Sequence, residues 1–128
     1  AERIYEKHRT GTFYEMDADG NKVTRIVGNR YEIVAGTEYV NVKGDVNLTV
    51  DSNCNTYIKG NWNIQVDGDK TEVVTGKVSE TYKDTKTENV TGLVSETYQA
   101  SQTTNITGTL DLDASSEVDI DAGVINLN

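Results

Sequence analysis

Gly20, Gly28, Gly36, Gly44, Gly60, Gly68, Gly76, Gly92 and Gly108 all lie on one eight-residue register, which Ser52, Asp84, Ala100 and Ser116 complete. Nine of the eleven glycines fall on it. A period this short and this regular points to a stacked, repetitive architecture rather than a globular one, because each repeat is too small to bury a face of its own. Two residues before each register position stands Ala18, Ile26, Val34, Val42, Val50, Ile58, Val66, Val74, Tyr82, Val90, Tyr98, Ile106 or Ala114. The unit therefore reads V-x-G-x-x-x-x-x. A period of sixteen is superposed on it, since residues 76–91 and 92–107 agree at nine of sixteen positions, as duplication of paired octads would leave them.

Counted from the glycine, odd positions are mostly Thr, Asn, Asp, Ser, Gln or Lys, and Val, Ile, Leu, Trp and Tyr gather at even ones. Period-two alternation of this kind marks strands with one apolar face. A recurrent glycine marks a sharp bend or a close approach of backbones. Together they predict an all-β solenoid with a corner in every octad. Composition agrees in one respect: Val, Ile, Thr and seven Tyr are abundant, and Pro is absent.

The same composition limits how such a solenoid can be closed. Only 35% of residues are hydrophobic and the net charge is −9. Each octad offers one dependable apolar residue and at best a second, such as Val40, Val46, Leu48, Trp62, Ile64, Val78 or Val94. The remaining even positions are often charged, as at Glu32, Lys70, Glu72, Glu80, Lys86, Glu88 and Glu96. One chain coiled on itself would enclose a lumen that these residues could not fill, and unpaired charges there would be costly. Three parallel copies wound about one axis bring Ile26, Val34, Val42, Val50, Ile58, Val66, Val74, Tyr82, Val90, Tyr98 and Ile106 onto their equivalents as a narrow core, with no long open strand edge. The expected fold is an intertwined homotrimeric triple-stranded β-helix, about 60 Å long if each octad advances one strand spacing of roughly 4.8 Å.

Three segments follow. Residues 1–24 form a lead-in, 25–122 the octad array and 123–128 a terminal segment. In the lead-in, runs at 12–16 and 22–27 flank Asp17-Ala18-Asp19-Gly20-Asn21, whose turn chemistry predicts a hairpin-like connection. That pentapeptide also resembles the start of a calcium loop, but an EF-hand needs an acidic twelfth ligand and Gly28 stands there. Beyond Gly123 the apolar phase slips by one onto Ile125 and Leu127, which predicts that the array narrows or ends there.

Several features point away from other classes. The acidic balance, 12 Lys+Arg against 21 Asp+Glu, argues against a nucleic-acid partner. Cys54 has no intrachain partner, and it and Trp62 sit at even positions where burial is the default. His8 has no acidic or nucleophilic partner at an identifiable spacing, so no catalytic residue is assigned. The recurrent glutamates suit a ladder that pairs with lysines, faces solvent, or holds water and ions, better than a glycosidase pair. Asn47, Asn89 and Asn105 head N-x-T triplets that a threonine-rich repeat produces by chance. No metal or cofactor is expected, adventitious ions or lipid in the lumen aside.

The octads from 26 to 108, the lead-in HRTGTFYEMDADGNKVTRIVG and the ending AGVINLN resemble the C-terminal triple-stranded β-helix of the central tail spike, the cell-puncturing device, of T-even-type contractile phages. They are also similar to the valine-glycine repeat spike protein of type VI secretion. The resemblance implies a non-enzymatic trimeric spike in the virion tail baseplate, with the baseplate hub on its N-terminal side and transient contact with the target membrane. It implies an upstream barrel domain that this chain lacks, so the chain is expected to be a fragment. Shorter phage spikes close their tip with a His-x-His iron site, which is missing here. A separate PAAR-repeat-type tip protein is therefore expected on Val124, Ile125 and Leu127. The main alternative is a trimeric fibre or adhesin stalk binding a host glycan, for which Tyr31, Tyr39 and Tyr57 at odd positions speak. A monomeric parallel β-helix enzyme is a further alternative, disfavoured by octads this short.

Overall fold

The computed structural model describes residues 2–127. Its regular secondary structure is all β: a three-stranded antiparallel meander in the order β1 (Ile4–Lys7), β2 (Phe13–Met16), β3 (Lys22–Arg25). The chain divides into two units, Ala1–Gln65 and Val66–Asn128, the first of which carries the meander. Among the described residues no helix is long and apolar enough to cross a membrane.

The meander is set by two loops of the same design. His8 and Thr12 close the first, with the His8 amide donating to the Thr12 carbonyl at 2.8 Å and Gly11 N–H donating to the His8 carbonyl at 2.9 Å. In the second, Asp17 N–H donates to the Asn21 carbonyl at 3.1 Å and Gly20 N–H to the Asp17 carbonyl at 3.2 Å. Each is a three-residue loop with glycine last, at φ of 96° for Gly11 and 81° for Gly20. This is the turn-plus-bulge hairpin in which the third loop residue must be left-handed, a conformation that a side chain disfavours. The expected connection around 17–21 is present as the β2–β3 hairpin. Strand β1, by contrast, was not anticipated within the lead-in.

The two pairings put Tyr5 opposite Glu15 and Glu15 opposite Val23, with Phe13 between Lys7 and Arg25. Arg3 extends the edge by donating from Nε to Glu15 Oε1 at 2.7 Å while its guanidinium lies 4.8 Å from the Tyr5 ring centre. The Tyr5 and Phe13 rings meet at a tilt of 44° with centroids 5.9 Å apart. Val27 N–H donates to Thr12 Oγ1 at 3.1 Å and so fastens the chain leaving β3 back onto the β1–β2 loop.

After β3 no described residue belongs to a strand. Two-residue bends recur every eighth residue instead, at 27–28, 35–36, 43–44, 51–52 and 59–60, and in the second unit from 67–68 through 115–116, with a last bend at 123. Six-residue runs separate them. The period read from the glycines is thus the period of the backbone. From Gly28 onward each octad glycine stands at a bend, as expected, but without a left-handed conformation. None of the octad glycines from Gly28 onward has positive φ, and a Cβ on any of them would meet nothing within 4 Å of its own chain. Bends with Ser52, Asp84, Ala100 and Ser116 at the same place form equally well. Gly20 belongs to the register by count only, since its role is the hairpin loop.

Candidate functional site

In the octads one face of the chain is the candidate site, and its geometry starts from the bend. The residue two places ahead of each glycine is shaded by the chain turning beside it: from Val34 to Ile106 the column is 46–60% exposed. Odd-position side chains such as Tyr31, Ile33, Tyr39, Tyr57, Val73 and Leu93 are 82–94% exposed. The column therefore lies on the inner side of the bends, while the other apolar even positions reach 80% exposure at Leu48. Even so, no described residue is buried, and Cys54 and Trp62 are exposed as well.

Taken as a whole this surface is too large for a self-sufficient fold. The chain exposes 14416 Å². A compact monomer of 14.1 kDa would expose roughly 6,700 Å² and a fully unfolded one roughly 20,000 Å². In each unit the apolar column, Ile26 to Ile58 in the first and Val66 to Ile106 in the second, is left open to water. Exposed apolar surface on this scale marks an interaction face.

The same face carries ordered charge. Arg30 pairs with Glu32, Lys70 Nζ lies 3.1 Å from Glu72 Oε2, and Lys86 Nζ lies 3.3 Å from Glu88 Oε1. Each pair occupies the second and fourth places after a register position, so both partners point to the column side. Of the three roles open to the recurrent glutamates, Glu32, Glu72 and Glu88 take pairing with a basic neighbour. Glu88 holds Lys86 above the ordinary ammonium range, chiefly through its hydrogen bond. Lys86 also stands 5.2 Å from the centre of the Tyr82 ring, whose hydroxyl donates to Glu80 at 3.4 Å. An opposite-charge pair two residues apart at fixed octad positions was the sequence signal for these contacts.

At the far end, Val124, Ile125 and Leu127 follow the bend at 123 and are all exposed, Leu127 at 91%. In the lead-in, His8 Nδ1 is 2.9 Å from Thr10 Oγ1, a contact internal to the loop. The Asp17 carboxylate is likewise occupied locally. Its Oδ1 accepts from the amides of Asp19 and Asn21 at 3.0 and 2.9 Å, and its Oδ2 accepts from Asn21 Nδ2 at 2.9 Å. Among the described residues no group of three or more His, Cys, Asp or Glu is placed to hold a metal ion.

Those bonds, the Asn21 side chain first, lower the Asp17 pKa below its ordinary 3.8. A lowered folded-state value stabilises the turn in full above the ordinary value and is lost as pH falls through the lowered one. The Asn21 amide resonance should therefore move on acidification below about pH 4, and Asp17→Ala should remove that step in an NMR titration. The effect is local because all of the hydrogen bonds to the carboxylate come from within the 17–21 loop.

Comparison with known proteins gives one partial likeness. The chain is 46% identical over 57 residues to Protein Gp5 of Vibrio phage KVP40, a match covering 44% of this chain and 14% of that protein's length. No known protein-family profile matches the chain. No solved structure matches it either. Over the matched segment, then, this all-β chain with its octad bends is related to a phage Gp5 protein.

Proposed function

We propose that the chain is the structural rod of a contractile injection machine, a parallel homotrimer that transmits axial force to the target envelope. The observation that carries this reading is an unburied aliphatic column repeated at every bend of a chain with roughly twice the surface of a compact monomer. Three copies would place that column on their common axis and supply the strand neighbours that residues 28–127 lack within one chain. Likeness to a phage Gp5 protein supports the setting of a phage tail baseplate; the hub would lie on the N-terminal side. Rigidity comes from dense interchain backbone pairing. The reading assigns no catalytic residue and no cofactor.

Val124, Ile125 and Leu127, exposed beyond the last bend, would seat a tip protein of the PAAR-repeat type. A net charge of −9 per chain keeps the rod soluble and discourages adhesion to anionic lipid, so membrane contact is transient.

Light scattering should give roughly three times 14.1 kDa, and the species should survive SDS without boiling. A folded species at the mass of one chain would overturn the reading. The alternative of a glycan-binding fibre stalk rests on one observation, that Tyr31, Tyr39 and Tyr57 are all more than four-fifths exposed on the opposite side of the chain. Specific retention on a glycan array, lost on replacing these tyrosines by serine, would favour it.

A further inference from the structure

The column and the glycines repeat every eight residues, so copies displaced by one octad would still match Val to Val and bend to bend. Something else has to choose the axial register. The second position after each register residue supplies a longer period. It is apolar at Val46, Trp62, Val78, Val94 and Leu110. In the octads between them it is Cys54, Lys70, Lys86 and Gln102. From Trp62 to Leu110 the alternation holds through seven consecutive octads, Cys54 being the weakly polar member before them, and has a period of sixteen, twice that of the backbone bends. At two of the polar levels the structure closes the lysine onto a glutamate two residues on, Lys70 to Glu72 and Lys86 to Glu88.

We infer that this alternation of apolar and polar levels, two of the polar ones ion-paired, is a register code that aligns copies of the chain with one another. The inference rests on the homotrimer reading above and names the residues that make its alignment unique. In register, the second position collects lysines only at the levels of Lys70 and Lys86, each with its own Glu72 or Glu88 two residues on, and apolar side chains only at the levels of Trp62, Val78, Val94 and Leu110. A copy shifted by one octad sets Lys70 and Lys86 against Val78 and Val94, which leaves desolvated ammonium groups facing aliphatic side chains. The shifted copy also leaves unmatched octads at both ends, an open arrangement that invites further chains. Polar residues set among apolar ones specify register in this way in other parallel assemblies.

The test uses the full chain with a spin label on Asn55→Cys in a Cys54→Ser background, position 55 lying on the outer, odd side. Val78→Lys with Val94→Lys erases the alternation while giving each new ammonium a carboxylate two residues on, at Glu80 and Glu96. The parent should give one narrow electron–electron distance. The erased variant should keep the parent's mass by light scattering and move at least a fifth of the spin pairs to other distances. Lys70→Arg with Lys86→Arg, which preserves the alternation, should retain the single distance. A single parental distance in the erased variant at unchanged mass, or equal broadening in the arginine variant, overturns the register code and leaves the homotrimer standing. If the double change blocks assembly, Val78→Lys alone decides the matter by the same two readings: satellite distances support the code, and an unaltered single distance overturns it. A parent chain at the mass of one copy, with no spin pairs, removes the homotrimer reading and the code with it.

Discussion

Val74→Asp is expected to dissolve the assembly, whereas Val73→Asp, one residue away, leaves it intact. The two valines are neighbours of the same type, yet Val74 belongs to the column on the inner side of the bends and is 50% exposed, and Val73 projects from the outer side at 82%. In a trimer the aspartate at 74 would place three carboxylates together in the apolar core with no cation assigned to that level. Burying an unpaired ionised group costs several kcal/mol per copy, more than an octad's contribution can offset. Light scattering should then fall from roughly three times 14.1 kDa to the mass of one chain, with loss of the β circular-dichroism signal. The change at 73 adds one more charge to a solvated face and should shift the melting temperature by only a few degrees. Equal behaviour of the two variants would show that the inner and outer sides have been assigned wrongly.

Gly76→Val should lower the stability of the assembly by about 1–3 kcal/mol per copy, and Gly76→Ser by much less. The single chain gives no reason for either loss. Gly76 has ordinary φ, and a Cβ there would meet nothing within 4 Å. A penalty for valine therefore has to come from a neighbouring copy pressing on the inner side of the bend, where Gly76 lies between Val74 and Val78 at even positions. Serine occupies the same place at residues 52 and 116, so a small side chain has precedent in this repeat. Thermal unfolding of the two variants beside the parent measures the difference. Valine without effect would mean that nothing approaches the bend and that glycine there reflects only the ease of turning.

How far the fold could be read from the sequence differed with the kind of interaction involved. The Asp17–Asn21 loop was legible because its chemistry is local. The aspartate satisfies its own turn amides, and glycine supplies the left-handed residue. The bends were legible because the register repeats often enough to stand out even where Ser52, Asp84, Ala100 or Ser116 replaces glycine. Strand β1 was not, since Ile4-Tyr5-Glu6-Lys7 has four residues and no clean alternation. Its place is fixed by contacts to β2, the Arg3–Glu15 pair among them, that no local pattern announces. The octad glycines from Gly28 onward were legible as bends, and their ordinary φ values show that no left-handed residue is needed there.

The candidate face was visible as alternation, but its charged part was ambiguous. From sequence the recurrent glutamates could pair, face water or enclose ions. Side chains two residues apart in the six-residue runs between bends are close enough to pair, and Glu32, Glu72 and Glu88 do so.

Bends that require no special residue make the length of this chain a counted quantity. A segment built from interchangeable eight-residue steps can gain or lose steps without redesigning any corner, as the near-copy of 76–91 in 92–107 illustrates. Because the polar and apolar levels alternate, such a change keeps its phase only when steps are added or removed two at a time. Under the rod proposal, its length would be gauged in sixteen-residue increments, as a ruler is by its graduations, so that duplication of paired octads is enough to change its reach.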